Sequence, residues 1–491
     1  MNPAAIDPRT PVLVGVGVVQ CHETDWQEAR EPLALMVEAV RAAGVDCTSP
    51  DLLSRAELIC VPRGRWQYRN PSGAIAQAIG ATGARSLLSS VGVLQQGLIA
   101  EACQRIAAGT IDCAIVTGAD AGYRLLRAKI AGAELTEAVQ DDDPDEMLMP
   151  AAELRHPAEL AAGMAMPVGL YAILESASRA TAGLSPAAHR DQMAQELARF
   201  SQIAADNPHA WDRVPRLPAE VRDDGPGNPM QAFPYTKAHC SSWNVDQGAA
   251  LLLTSARLAI EYGIPRNRWV FPLVSAESNH MVAVSQRAEL GACPGAALTG
   301  AAALAAAGLD IAAIDLIDLY SCFPIAVRSF AAALGIADGR DLTLTGGMNF
   351  AGGPYNNYFF QATARAAELL RAGVGRSALL SCVSGVLTKQ AVAIWSTEPG
   401  PALYRTIDVS AEVGRCQARR DIIADYSGPG TVAGYTVLYG RDSTPTAVVL
   451  IDTPAGQRAL ATSPDAQIVR QLETDEWVGR SVRSHAGEFL I

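Results

Sequence analysis

One helix-to-strand stretch decides the fold, because the sequence contains it twice. Residues 102–116 read ACQRIAAGTIDCAIV. Residues 366–380, which lie 264 positions further on, read AAELLRAGVGRSALL and align with the first stretch without a gap. Each copy has a helical segment, a turn at Gly109 or Gly373, and an apolar strand. An internal repeat of this kind indicates a duplicated body.

A second pair of matching segments precedes these copies. Residues 51–59 read DLLSRAELI, and residues 310–318 read DIAAIDLID. Around both pairs, apolar strands alternate with amphipathic helices, beginning with a strand predicted over 12–19 and a helix predicted over 32–43. This alternation is typical of a parallel sheet covered by helices on both faces. The sequence therefore predicts two similar α/β halves.

Two further regions differ in character from the alternating body. Residues 121–230 hold the acidic run 141–146 and two predicted helices, and we interpret them as an inserted loop domain. We interpret the acidic run as a solvated loop rather than a ligand site. Short predicted strands separated by Gly, Asp and Pro turns follow a Pro-rich break and indicate a β-rich domain over 402–491.

These boundaries leave two parts of the chain for the duplicated body. The first half is predicted over 1–120 and 231–258, on either side of the inserted segment, and the second half over 259–398.

The composition restricts the function. The 491 residues exceed one hydrophobic core, and the net charge of −12 argues against nucleic acid or an anionic membrane as the main partner. No apolar run predicts a membrane span, and Met1 to Thr10 lack the apolar core of a signal peptide, so we expect a cytoplasmic protein. The ten cysteines lack paired spacing, which predicts mostly free buried thiols, and no metal site is predicted.

Several short motifs in this duplicated frame resemble those of the thiolase family. The unit 106–120 resembles the segment after the thiolase nucleophile, and 234–237 with 244–250 resemble the end of the loop domain in sterol-carrier-protein-2 thiolases. Residues 315–323 resemble the NEAF or HDCF motif, and residues 346–354 resemble the GHP loop. Residues 382–385 stand at the place of the CxG loop. The order and separations agree with that family over residues 10–395.

The resemblance implies a fold and a ligand class. The implied fold is α/β, a duplicated five-layered thiolase fold (αβαβα) with an inserted loop domain and an appended OB-like β-rich domain. Among thiolases the layout most resembles type 1 thiolase-like proteins, which carry an additional C-terminal domain. The implied ligand is a coenzyme A thioester, with no covalently bound cofactor. Its phosphates would need a local basic patch, and the candidates, which are equally well read as ordinary surface, are Arg63, Arg65, Arg69, Arg124, Arg127 and Lys129.

Thiolases use a nucleophilic cysteine and a histidine that activates it. Counting back from Gly109 along the resemblance places Gly92 at the nucleophile position, and the histidine of GHP corresponds to Gly353. Cys103 is about three helical turns from Gly92 and cannot substitute. Ser89 or Ser90 is either a replacement nucleophile or a helix cap. His239 or His280 is either a replacement base or a structural histidine.

Three candidate catalytic residues remain. Tyr320 replaces the oxyanion-binding residue of NEAF or HDCF, and it either donates to an oxyanion, acts as an acid or base if its pKa is lowered, or packs at the end of a strand. Cys382, at the CxG position, acts as an acid or base if its pKa is depressed and is inert if buried. Tyr355, with Asn356 and Asn357, is predicted to face the same pocket, whereas Cys322 is predicted to be a packing residue.

The resemblance leaves three hypotheses for the function. The first is an acetyl-CoA acetyltransferase-like protein that handles acyl-CoA, with ordinary thiolysis lost. The second is a C–C lyase of the retro-aldolase type acting on a β-hydroxyacyl-CoA, since thiolase-like proteins of steroid side-chain degradation resemble such enzymes and work with an OB-like partner domain. The third is a non-catalytic carrier of acyl-CoA or lipid. The expected oligomeric state is a monomer or a homodimer.

Overall fold

The computed structural model describes residues 6–150, 152, 155–440 and 444–490. The predictions that concern residues 1–5 and 491, at the ends of the first half and of the β-rich domain, lie outside the described residues.

The described residues form fifteen α-helices, nineteen strands and several short 3-10 helices. The α-helices are α1 (Pro32–Asp46), α2 (Pro71–Ile79), α3 (Gln95–Ala107), α4 (Gly122–Ile130), α5 (Pro157–Ala161), α6 (Pro167–Thr181), α7 (Pro186–Asp206), α8 (Pro218–Arg222), α9 (Ala256–Glu261), α10 (Pro294–Ala307), α11 (Pro324–Leu334), α12 (Gly347–Phe350), α13 (Tyr358–Arg371), α14 (Ser410–Cys416) and α15 (Ala466–Thr474). The 3-10 helices are Pro50–Arg55, Lys237–His239, Arg266–Arg268, Val284–Gln286 and Ile311–Ala313.

The strands belong to three sheets. They are β1 (Pro11–Gln20), β2 (Leu58–Pro62), β3 (Arg85–Ser89), β4 (Cys113–Ala121), β5 (Glu146–Leu148), β6 (Met230–Ala232), β7 (Tyr235–Thr236), β8 (Asp246–Ser255), β9 (Phe271–Ser278), β10 (Leu316–Asp318), β11 (Ser377–Ser384), β12 (Lys389–Ser396), β13 (Arg405–Asp408), β14 (Ile422–Ile423), β15 (Gly428–Leu438), β16 (Thr446–Asp452), β17 (Arg458–Ser463), β18 (Ser481–His485) and β19 (Glu488–Leu490).

The first sheet has the strand order β1-β8-β4-β2-β3-β5. Its strands β4, β2, β3 and β5 are parallel, but β8 is antiparallel to both β1 and β4. The sequence-based prediction of a parallel sheet is therefore only partly correct. The physical reason is that the chain returns through β8 after a long inserted segment rather than through a helical crossover.

The second sheet has the order β10-β11-β12-β9-β13 and is also mixed. The two halves repeat the same units, because α3 leads into β4 as α13 leads into β11, and short 3-10 helices precede β2 and β10. The duplication predicted from residues 102–116 and 366–380 is confirmed.

The helices form three layers around these two sheets. α1 and α2 pack on the outer face of the first sheet, and α10 and α11 lie on the outer side of the second. α3 and α13 lie between the sheets, where each contacts strands of both. This αβαβα layering is the five-layered fold that was predicted, and it places the N-terminus of α3 against the second half.

The third sheet closes on itself as a five-stranded barrel. β15 pairs with β16 and β18, β16 pairs with β17, and β19 joins β17 to β18. Aromatic residues such as Tyr435, Trp477 and Phe489 fill its core. The predicted OB-like β-rich region is confirmed as a closed barrel, although the exact boundaries of all the domains stay predictions.

A buried arginine attaches the barrel to the body. Arg458, in β17, is fully buried and pairs with Asp452, while its guanidinium also donates to the backbone carbonyls of Arg287 and Ala288. A second ion pair joins Arg179 of α6 to Glu476. Buried charged groups that are paired across an interface favour one docking geometry, so we regard the barrel as a fixed part of the molecule.

The acidic run is more than a solvated loop. Asp143 pairs with Arg69, Asp145 accepts from Ser86, and Glu146 pairs with Arg105. These bonds hold β5 along the outer edge of β3. The three-residue β5 then forms this edge of the sheet, and so short an edge offers few unpaired N–H and C=O groups to a second copy of the chain.

No helix in the described part of the chain is long and apolar enough to cross a membrane.

We expect the protein to be monomeric, because β5 covers the sheet edge at β3. Sedimentation equilibrium over a range of concentrations should give one species with a mass near 51.6 kDa. A species of twice that mass across the range would show that another surface drives dimerisation.

Candidate functional site

The site is built around the N-terminus of α3. The turn that precedes this helix contains Gly92 in the left-handed region, with φ of 96°. The N-cap residue, Leu94, provides no side-chain cap. The backbone N–H groups of Gln95 and Gln96 instead donate to the sulfur of Cys382, which the second half supplies from β11. The helix-cap interpretation of Ser89 and Ser90 is therefore wrong, because the thiol takes that role.

Tyr320 follows β10, and its side chain contacts the first turn of α3. Its hydroxyl accepts a hydrogen bond from the side-chain amide of Gln95 at 3.2 Å, and its backbone N–H donates to Ser381. Burial raises the pKa of the Tyr320 hydroxyl well above its usual value, and the nearby Cys382 sulfur adds to the shift. Tyr320 is thus a neutral hydrogen-bond donor, and the condition for a role as base, a lowered pKa, is not met.

A hydrogen-bonded array continues behind Tyr320. The ring of Tyr358 packs edge-on against the Tyr320 ring at 5.7 Å, and its hydroxyl donates to Asp318 at 3.1 Å. Burial raises the pKa of Asp318 to about 6. Gln95 also accepts from the backbone N–H of Phe359. The array fixes the orientation of Tyr320 from both halves of the protein.

Cys382 is a buried thiol with no exposed surface. Burial raises its pKa to about 12, although the two N–H groups of α3 favour the thiolate. The condition for acid–base catalysis by Cys382, a depressed pKa, is therefore not met, because desolvation outweighs the helix terminus. Cys322 is also neutral, since burial raises its pKa to about 12, and Cys103 is buried inside α3.

The sequence reasoning missed Lys389, the first residue of β12. Its Nζ donates to the carbonyl oxygen of Gly92 at 2.8 Å. Burial lowers the pKa of Lys389, and the carboxylate of Glu277 acts in the opposite direction. The signal in the sequence was a lysine seven residues after the CxG cysteine and four residues beyond the motif 382–385.

Gly353, the position that the resemblance assigns to the family's histidine, leaves little room for a side chain. A β-carbon at Gly353 would lie 1.9 Å from the hydroxyl oxygen of Ser241. His239 is fully buried against Thr236, and burial lowers its pKa to about 3. His280 lies beside Arg419, near the start of the C-terminal region. These environments favour the structural interpretation of both histidines.

Tyr355 lies apart from the Tyr320 cluster, beside a buried ion pair. Its backbone N–H donates to Asp120, which is bonded to the guanidinium of Arg65 at 2.8 Å. Burial raises the pKa of the Tyr355 hydroxyl. The adjacent Asn357 is completely buried, and neither polar atom of its side chain has a hydrogen-bond partner among the described residues. Tyr355 thus contacts the pair of Asp120 and Arg65, whereas Tyr320 contacts Gln95 and lies near Cys382.

The candidate basic patch is largely neutralised. Arg65 and Arg69 pair with Asp120 and Asp143, and Arg127 donates to the carbonyl of Thr24. A cleft of about 490 Å³ is nevertheless lined by several of these cations and by nearby acids, namely Arg65, Arg124, Lys129, Asp120, Glu134 and Glu137. Among the residues that the structure describes, no group of three or more His, Cys, Asp or Glu side chains could hold a metal ion.

The loop between Cys382 and Lys389 is strained. Gly385, Val386 and Leu387 are three successive residues with positive φ, of 61°, 56° and 57°. A β-branched residue in this region costs free energy and persists only where the surroundings hold it. The buried guanidinium of Arg287 supplies that restraint by donating to the carbonyls of Val386 and Leu387. Arg287 in turn presents its own carbonyl to Arg458 of the barrel.

Two α/β halves that share their inner helices, with this site at the N-terminus of α3, define a thiolase fold. Over 98% of both chains, the protein is 30% identical to a monomeric SCP2-thiolase-like protein type 1 from Mycobacterium smegmatis, with a TM-score of 0.81. Residues 408–488 match the family model described as the thiolase-like protein type 1 additional C-terminal domain. The chain therefore belongs to the type 1 thiolase-like proteins of the thiolase superfamily.

More distant structures share the fold alone. An aldolase described as Ltp2-ChsH2(DUF35) has a TM-score of 0.59 and 19% identity, covering 79% of this chain and 98% of its own. The dimeric peroxisomal thiolase of Saccharomyces cerevisiae has a TM-score of 0.56 and 14% identity, covering 80% and 98%. A comparison with curated proteins finds no significant match.

The Arg287→Met variant should release the strained loop. Removing the guanidinium leaves buried carbonyls unsatisfied, so we expect the free energy of unfolding to fall by about 1–3 kcal/mol. Hydrogen exchange followed by mass spectrometry should show faster exchange in peptides that cover 383–389. The exposed Arg419, which donates to a nearby carbonyl, gives the matched control Arg419→Met. Equal exchange in both variants would show that Arg287 does not hold the loop.

Proposed function

We propose that the protein handles acyl-CoA on a thiolase scaffold without ordinary thiolysis. The observation that supports this proposal is the identity of the side chain that contacts the turn before α3. Along the family resemblance the nucleophile position is Gly92, and the group that reaches its carbonyl is the amine of Lys389 rather than a thiol. Without a thiolate at the helix terminus, the thioester-linked acyl-enzyme of a thiolase has no place to form.

The remaining groups support the same proposal. Cys382 is held as a thiol by burial, and Ser241 fills the space that a histidine at Gly353 would need. Tyr320 is a fixed neutral donor that suits the carbonyl oxygen of a thioester. The site thus retains the means to polarise a thioester while it lacks the thiolate that accepts the acyl group in a thiolase.

The ligand class follows from the family rather than from a filled pocket. A coenzyme A thioester is the ligand that the thiolase superfamily implies, and one solved structure with the same fold is described as an acetyl-CoA acetyltransferase from Syntrophomonas wolfei (TM-score 0.53, 16% identity, covering 79% of this chain and 99% of that one). The cleft beside Tyr355, with Arg124 and Lys129 in its wall, is our candidate for the phosphate-bearing end.

We expect acetoacetyl-CoA to bind without being cleaved when free coenzyme A is added. The reason is that the only thiol at the site has a pKa of about 12 and is not nucleophilic near neutral pH. Isothermal titration calorimetry measures the binding, and mass spectrometry of products and of the intact protein measures turnover and acylation. The exposed Cys416 reports non-specific labelling. Acetyl-CoA formation with an adduct on Cys382 would contradict the proposal.

A second candidate function is a C–C lyase that acts on a β-hydroxyacyl-CoA. The observation in its favour is the array of Tyr320, Tyr358 and Asp318, which presents an oriented phenol next to the helix terminus. Cleavage of the bond between the α and β carbons leaves an enolate on the thioester, and its oxygen needs such a donor. The likeness in fold to an aldolase and the barrel fused to the body are in keeping with this alternative.

If the lyase candidate is correct, Tyr320→Phe should slow cleavage of a β-hydroxyacyl-CoA by about 100-fold or more, which is typical for the loss of one oxyanion donor. Chromatographic detection of the released carbonyl product gives the rate. Tyr171→Phe is the matched control, because this buried tyrosine is near Tyr320 but bonds to Cys322. Unchanged cleavage by Tyr320→Phe, or an equal loss in the control, would exclude a specific role for Tyr320.

A further inference from the structure

Lysine is rare in this protein, and one lysine is buried in the site. Of the 39 Lys and Arg residues, only Lys129, Lys237 and Lys389 are lysines. Lys129 and Lys237 are exposed, whereas Lys389 is only 1% exposed. A chain that uses arginine for almost every cation thus keeps a lysine at the one place where a side chain reaches Gly92.

The register of the second sheet defines the surroundings of Lys389. Lys389 pairs with Ser384, and Ala391 pairs with both Cys382 and Glu277. Because side chains alternate between the faces of a sheet, Lys389, Cys382 and Glu277 lie on the same face, the one that meets the N-terminus of α3. The amine, the thiol and the carboxyl group therefore surround one helix terminus.

The charges on this face do not fully compensate an ammonium group. The titratable side chains that face it are Glu277 from β9 and the neutral thiol of Cys382 from β11, and α3 has no acidic residue in its first turn. Burial, together with Asp408 of β13, raises the pKa of Glu277 and weakens it as a counter-ion. The positive end of the helix dipole also disfavours a cation.

Two consequences follow for the nitrogen of Lys389. Desolvation and the helix terminus both favour the neutral amine, which is a nucleophile, over the ammonium ion, which is not. Arginine could not replace it, since the guanidinium stays protonated in proteins. A lysine at this position of an arginine-rich chain therefore permits a chemistry that an arginine would not.

We propose that Lys389 is a nucleophilic amine that forms a Schiff base with an aldehyde or ketone ligand at the N-terminus of α3. The nitrogen lone pair attacks the carbonyl carbon, the nitrogen loses two protons, and the carbonyl oxygen leaves with them as water. A C=N bond replaces the C=O bond, and no oxidant or reductant is consumed. The inference goes beyond the handling of thioesters, because it requires a ligand with a ketone or aldehyde group and no acyl transfer.

The full-length protein can be tested with butanal and sodium cyanoborohydride at pH 6.5, followed by peptide mapping. Reduction of the Schiff base leaves one butyl group on the reacting lysine. Lys129 and Lys237 are exposed and lie outside the α3 terminus, so they are internal controls. We expect Lys389 to be alkylated at least tenfold faster than either control. Alkylation of Lys129 and Lys237 with Lys389 unmodified would overturn the proposal.

The pH dependence and two variants sharpen the test. Between pH 6.5 and 9 the rate at Lys389 should change less than the rates at Lys129 and Lys237; a parallel rise at all three would count against the proposal. Lys389→Met should abolish fast alkylation and Lys237→Met should preserve it, with circular dichroism confirming that both fold. Because the wild-type mapping needs no variant, the proposal stays falsifiable if Lys389→Met does not fold.

The test of Lys389 and the test of the proposed function can fail independently of each other. Binding of acetoacetyl-CoA without trapping at Lys389 would overturn this inference alone. Trapping at Lys389 without any binding of acetoacetyl-CoA would support the inference and overturn the proposal of acyl-CoA handling.

Discussion

The rest of the site depends on how the N-terminus of α3 is satisfied. The first N–H groups of a helix have no partner within it, and a buried helix start without a cap is costly. In this protein the second half provides the sulfur of Cys382 for the backbone N–H groups of Gln95 and Gln96, and the hydroxyl of Tyr320 accepts from the side-chain amide of Gln95. The same bonds that join the two halves therefore bring the chemically useful side chains together, so the site and the interface between the halves are one structure.

The loop that follows Cys382 extends this dependence to the barrel. Val386 and Leu387 are left-handed, and Arg287 holds their carbonyls. The carbonyl of Arg287 is itself bonded to the fully buried Arg458 of the barrel. Local strain close to a functional site is typically retained because it positions nearby groups. The appended domain thus contacts the site through two arginines and one strained loop, which explains how a peripheral barrel bears on Cys382 and Lys389.

The sequence predicted those features that are encoded locally or twice. The glycine turns at Gly109 and Gly373, with their apolar strands, predicted the duplicated body, and the spacing of the motifs brought Tyr320 and Cys382 to one place. The short strands β5, β6 and β13 were missed, because three or four residues carry no periodicity and their pairing partners are distant in the chain. The protonation state of Cys382 could not be predicted either, because its pKa depends on burial against the first half of the protein. The surroundings of Tyr355 could not be predicted for a similar reason, because the ion pair of Arg65 and Asp120 that its backbone contacts forms between distant parts of the chain.

The electrostatics of the site suggest which kind of chemistry it favours. A thiolase places a negative sulfur at the positive end of a helix, so that the protein itself carries the charge that the helix stabilises. In this protein the groups at that end include a thiol, a phenol and an amine, none of which is negative near neutral pH, and burial raises the pKa of the carboxyl group of Glu277 on the same face. The favourable field is then left for a ligand, and the ligand atom that best uses it is an oxygen that gains negative charge. Carbonyl ligands, whether thioesters, ketones or aldehydes, meet that requirement, whereas transfer of an acyl group to the protein does not.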